Sequence, residues 1–147
     1  MAILVVAEHD NASLKDATHK VVTAAKAMGG DVDVLVAGSN AGAAAQAAAK
    51  IEGVRKVLHA DAASIGKQLA EPMTALIAPL MSGYDALLFA ATTTGKNVAP
   101  RVAAKLDVMP VSGVIGVEGA DTFVRPIYAG NAIITVKDEQ PKKVLTV

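Results

Sequence analysis

Thr92-Thr93-Thr94-Gly95-Lys96 follows the most apolar run of the chain, Asp85 to Ala91, and offers hydroxyls, a glycine and a lysine where a strand would turn into a helix. Such a turn, at the carboxyl end of a central strand, is where α/β sheets bind ligands and where helix amides favour anions. A Walker-type phosphate loop needs a glycine five positions before Gly95 and Ser or Thr after Lys96. Ala90 and Asn97 stand there instead. Thr92, Thr93, Thr94 and Gly95 are thus candidates for a weaker anion site. A turn whose threonines merely cap the helix accounts for the same residues.

The remaining reactive types are scattered. Gly116 and Gly119 begin the Gly-x-x-Gly of a stand-alone ATP-binding domain of the universal-stress type, but Ala129 occupies the next glycine position and Asn131 follows Gly130. His9, His19 and His59 share no metal-ligand spacing. His19 reads as a solvated helix residue, and Glu8-His9 as a surface loop at the end of the first strand. Ser13 and Ser39 have no His-Asp partners nearby, and no carboxylate pair stands out for acid-base work. No catalytic constellation is expected. Of three arginines, Arg101 follows Pro100 and Arg125 precedes Pro126, and Tyr128 lies three residues beyond Arg125. A strand carrying Arg on one face and Tyr on the other suits docking against protein.

The elements that must position these residues follow from periodicity. Ile3 to His9 is a near-continuous apolar run, the pattern of a parallel strand covered on both faces. Ser13 caps an expected helix whose apolar positions run from Leu14 to Met28, ended by Gly29-Gly30. Val32, Val34 and Val36 form a second strand, Ala41 to Lys50 a small-residue helix, and Val54 to His59 a third strand. Pro72 suits a first helical turn, with Met73, Leu76, Ile77, Leu80 and Met81 on the buried stripe, while Pro79 predicts a kink or early fraying. Asp85 to Ala91 is expected at the sheet centre, followed by a helix over Val98, Val102, Ala103 and Leu106.

After Leu106 the pattern changes to strands alone: Met109 to Val117, Phe123 to Ala129, Ala132 to Val136 and Val144 to Val147. Links this short predict antiparallel pairing, with Gly130-Asn131 as a two-residue hairpin turn and Pro126 at an edge or bulge. The expected fold class is α/β: a doubly wound, mostly parallel sheet with helices on both faces plus an antiparallel C-terminal addition, in one domain over residues 1–147.

Composition narrows the functions. A chain of 147 residues buries roughly 70% of its unfolded surface, so a core forms without staples. It has no cysteine, hence no thiolate chemistry or disulfides. Lys+Arg 14 balance Asp+Glu 14 without basic runs, which speaks against a nucleic-acid partner. No apolar run approaches the ~20 residues of a membrane-spanning helix, so direct membrane insertion is not expected. Met1-Ala2 leads straight into the first strand without signal-peptide features, which suits a bacterial cytoplasmic protein; a mature mitochondrial-matrix chain is the alternative.

Taken together, the start ILVVAEHDN with LKDATHK, the segments DVDVLVAGSN and LLFAATTTGKNVAPRVAAKLDV, and above all FVRPIYAGNAIITV, with KKVLTV after it, resemble the N-terminal domain of the electron transfer flavoprotein α subunit. The resemblance covers the whole chain. It implies the adenine-nucleotide α-hydrolase-like fold and a heterodimer with a β subunit. It also implies an electron carrier, in settings such as fatty acid β-oxidation, that takes electrons from dehydrogenases through FAD and passes them to a quinone oxidoreductase. In that family the FAD sits mainly in a C-terminal α domain and an AMP in the β subunit. The flavin-binding residues are accordingly expected beyond Val147, and no cofactor is assigned to residues here. Arg101, Arg125, Tyr128, Gly130 and Asn131 are the interface candidates. A stand-alone adenine-nucleotide-binding domain and a small enzyme of the same fold are the alternatives.

Overall fold

The computed structural model describes residues 1–147. Strands and helices alternate as β1 (Ala2–Val6), α1 (Ala17–Ala27), β2 (Asp31–Gly38), α2 (Gly42–Ala48), β3 (Val54–Asp61), α3 (Ala70–Leu80), β4 (Ala86–Phe89) and α4 (Thr93–Lys105). Five strands follow: β5 (Pro110–Val111), β6 (Gly116–Val117), β7 (Thr122–Ile127), β8 (Ala132–Lys137) and β9 (Lys143–Thr146). A six-stranded sheet has the order β3-β2-β1-β4-β9-β5, every neighbouring pair parallel. A second, antiparallel sheet has the order β6-β7-β8.

Both parities of the central strands are apolar because both sheet faces are covered. Ile3, Val5, Val34, Val36 and Leu88 pack with Val21, Val22 and Ala25 of α1 and with Ala44 and Ala48 of α2. The intervening Leu4, Leu35, Leu87 and Phe89 face Met73 and Ile77 of α3 and Val98 and Val102 of α4. Each such fully buried aliphatic side chain contributes about 1.5–3 kcal/mol. The small alanines of α2 let that helix lie close on the sheet. Phe123 of β7 and Val114 join the α1 side of the core, which fastens the second sheet to the first.

Several local expectations change, and Met109 to Val117, expected as one strand, divides into β5 and β6, which lie in different sheets. The first helix starts at Ala17, not near Ser13. Asp10 captures Ser13 instead, accepting from its amide at 2.7 Å and from its hydroxyl, as well as from Lys15 Nζ, so Ser13 belongs to a turn before the helix. Leu14, outside the helix, still packs on the core. The first strand ends at Val6 rather than His9.

The segment at Val144, expected to pair antiparallel, is parallel: β9 inserts between β4 and β5, with Leu87 opposite Val144 and Val111 opposite Leu145. The long excursion through β6, β7 and β8 supplies the crossover that short links seemed to deny. Finally, the hairpin turn has four residues, because Ile127 pairs with Ala132. Tyr128, Ala129 and Gly130 all take left-handed φ, at 50°, 53° and 91°, so Gly130-Asn131 is not a two-residue turn and Tyr128 is not on the strand.

Pro79 behaves as expected, whereas Pro126, expected on an edge strand or at a bulge, lies in β7, the middle strand of the second sheet, with no bulge. α3 ends one residue after Pro79 and tightens into a 3-10 turn over Met81–Gly83. Pro126 shares parity with Thr122 and Val124, whose carbonyls accept from Glu118 and Ile115 on the β6 side. β6 pairs only with Phe123 and Val124, so Pro126's missing amide points past the end of β6 and leaves no ladder bond broken.

Candidate functional site

The carboxyl ends of β1 and β4 face the start of α4, where the anion site is expected. Thr92 is extended and caps the helix, its Oγ1 accepting from Gly95 N at 3.3 Å. The same hydroxyl donates to Glu8 Oε2 at 3.0 Å. Helix amides carry about half a positive charge at this end, and Glu8 brings a carboxylate to the residue that caps them. Glu8 is fixed in turn by Thr18 of α1, which accepts from its amide at 3.0 Å and donates to its carbonyl at 3.1 Å. Thr93 is exposed and Thr94 half-buried. A Cβ on Gly95 would lie 1.9 Å from Ala90 O, so this glycine lets α4 approach β4, which is a packing requirement independent of any ligand.

Beside Glu8, the structure revises the reading of His9. It is 7% exposed, a buried residue rather than part of a surface loop. Its Nε2 donates to Ala37 O at 3.0 Å and its Nδ1 accepts from Asn11 N at 3.0 Å. Burial of the ring, opposed by the Ala37 carbonyl and the charges of Glu8 and Asp10, lowers its pKa below the usual histidine value. Asn11, at φ 69°, accepts from Ser39 N and donates to Gly66 O, each at 2.9 Å. Gln68 adds a bond to the His9 carbonyl at 3.3 Å.

These side chains fill the ends of β1 and β2. A phosphate of AMP or FAD brought to the start of α4 would meet the Glu8 carboxylate, so the residues present do not fit an adenine nucleotide or a flavin pyrophosphate there. The three surface clefts of the molecule lie elsewhere: beside Pro100, Pro110 and Gln140, between α1 and β6, and between α1 and Lys50–Glu52. His19 is exposed on α1, and His59 lies 3.6 Å from Asp61 with no metal-binding cluster around either.

The interface candidates divide. Arg125, Tyr128, Gly130 and Asn131 share the β7–β8 hairpin, where the Asn131 side chain closes the turn onto Tyr128 O at 2.9 Å. Tyr128 is 80% exposed, and Ile133 on β8 is 64% exposed. Arg101 belongs to a different surface: on α4 it lies 3.7 Å from Glu71 of α3.

One charged cluster escaped the reading of the sequence. Asp33, fully buried in β2, accepts from Arg55 Nε at 2.9 Å and Nη2 at 2.8 Å and from the Tyr84 hydroxyl at 2.6 Å. Burial alone would raise its pKa, but the Arg55 and Tyr84 bonds and the Arg55 charge hold it below the ordinary carboxylate range. Burial and the same carboxylate push Tyr84 up to about 12. The visible signal was Asp33 in DVDVLVAG, a charge on the same strand parity as Leu35 and Ala37. Asp33 lies towards the amino end of β2, so the cluster fastens the edge strand β3 rather than serving the opposite end of the sheet.

Compared with known proteins, residues 3–147 match the electron transfer flavoprotein domain. The chain is 58% identical over 147 residues to the electron transfer flavoprotein subunit alpha of Pseudomonas aeruginosa and 62% to that of Bradyrhizobium diazoefficiens, covering all of this chain but 48% and 47% of theirs. A probable mitochondrial subunit alpha from Caenorhabditis elegans is 42% identical over 97% of the chain and 44% of its own length. The chain thus spans about half the length of the curated relatives it matches.

Proposed function

The chain belongs to the electron transfer flavoprotein family, on its α-subunit side, and from this premise we propose that residues 1–147 form one N-terminal scaffold domain. In this reading it packs with a β subunit and supports an FAD domain that carries electrons from dehydrogenases to a quinone oxidoreductase. The AMP belongs to the β subunit. The domain is a structural part of an electron carrier and performs no turnover of its own. It works in an aqueous compartment, the bacterial cytoplasm or, for a eukaryotic chain, the mitochondrial matrix. No helix is long and apolar enough to cross a membrane.

The observation that carries this reading is the filling of the carboxyl end of the sheet by Glu8, Asn11 and Gln68. Fixed internal partners occupy the place where this fold class takes ligands, which favours assembly over ligand chemistry. Titration calorimetry with AMP, ATP and FAD, followed by the β subunit, tests it. The expected result is binding of the β subunit alone. Tight AMP or ATP binding by the 147-residue chain would favour an independent nucleotide-binding domain, and substrate turnover a small enzyme.

A further inference from the structure

Arg125 differs from the other two arginines in having no carboxylate. Arg55 grips Asp33 through Nε and Nη2 and reaches Asp31 through Nη1 at 3.0 Å. Arg101 has Glu71. Arg125 has one bond, from Nη2 to the Ser112 hydroxyl at 3.3 Å, and its Nε is shut away from water without an acceptor. A guanidinium partly stripped of water retains much of its desolvation cost until an opposite charge meets it.

Register says where that charge must come from. Arg125 stands opposite Ile134, with side chains on the same sheet face as Phe123 and Ile127. Phe123 is wholly buried in the core, whereas Arg125, two residues further out, is only half-buried. Beyond it the turn holds Tyr128 80% exposed on a left-handed backbone, a conformation bulky residues rarely adopt. Arginine and exposed aromatic residues are each enriched at the centres of protein interfaces, and this hairpin carries one of each. A free anion would make no use of the exposed Tyr128.

We propose that Arg125 receives an Asp or Glu carboxylate from the partner subunit, seated against the β7–β8 hairpin. This rests on the assembly reading above. The test is calorimetric titration of the full α chain with its β subunit at low and high salt, for wild type, Arg125→Gln, Arg125→Lys and Ser112→Glu. Arg125→Gln is expected to weaken association roughly thirty-fold and to flatten its salt dependence, and Arg125→Lys to restore only part, because an ammonium lacks the fork. Ser112→Glu supplies the carboxylate within the chain and is expected to weaken association similarly. Ser112 is exposed, so this variant keeps the test decisive where Arg125→Gln fails to fold. Wild-type affinity in folded Arg125→Gln or Ser112→Glu overturns the proposal while leaving the assembly reading intact. Absence of β-subunit binding by the wild-type chain overturns both.

Discussion

Glu8 and Thr92, 84 residues apart, share a 3.0 Å hydrogen bond that ties the end of the first strand to the start of the last helix. Thr92→Val removes both the donor to Glu8 and the acceptor for Gly95. It is expected to cost about 1–2 kcal/mol in urea unfolding, with Thr92→Ser close to wild type. Unchanged stability in Thr92→Val would show that the hydroxyl holds nothing.

Gly95 and Gly130 separate two reasons for glycine. Gly95→Ala forces a methyl into Ala90 O and is expected to destabilise by about 3 kcal/mol or more, since backbone must move. Gly130→Ala meets open space but a φ of 91°, so the expected loss is only about 1–2 kcal/mol. Chemical denaturation of the two variants side by side checks the order.

Asp33→Asn leaves Arg55 without its buried carboxylate and is expected to cost about 3 kcal/mol, the low end for a broken buried pair because Arg55 is itself half exposed. Asp33 has a lowered pKa when folded, so its contribution is full above the unfolded value near 4 and is lost as pH falls through the lower folded value. Stability against pH should therefore be steeper in acid for wild type than for Asp33→Asn.

Tyr84 carries the opposite sign. Its folded pKa is raised, so stability is complete below about 10, the unfolded value, and declines as pH climbs towards about 12. Phenolate absorbance should show a tyrosine ionising late, and Tyr84→Phe should abolish that phase. A wild-type chain lacking the late phase would contradict the Asp33 bond.

His9, neutral in its buried setting, contributes above the unfolded histidine value near 6.5 and is expected to lose that contribution as pH falls through its lower folded value. Protonation removes the Nδ1 acceptor from Asn11 N. Glu8, Asp10, His59 and Gln68 are the polar groups around the ring. Proton NMR of the three imidazoles should find one titrating below the ordinary range, and Asn11 amide exchange should rise with its protonation.

The alternating half of the fold was readable because its pattern is local. Val32, Val34 and Val36 announce a strand, and Leu87 and Leu88 on adjacent parities announce one covered on both faces. Pairing partners are not local, so Val144 looked like a neighbour of the hairpin although it lies against Leu87. The turn at Tyr128 went unread because non-glycine residues there take a conformation their types disfavour. Ser13 was misplaced because Asp10 competed for its hydroxyl. At the site, Thr92 as a cap was legible, but its bond to Glu8 and the burial of His9 depend on two distant strand ends meeting.

β9 lies in the interior of the parallel sheet, although it is the last strand of this segment to leave the ribosome. Until residues 143–146 emerge, β4 presents an open edge to the nascent chain's surroundings, and β5 has nothing to pair with. Completion of the sheet is therefore a late, long-range event that follows formation of the β7–β8 hairpin. A stop codon or protease cut shortly before Lys143 would leave a sticky, chaperone-dependent polypeptide instead of a slightly shorter domain.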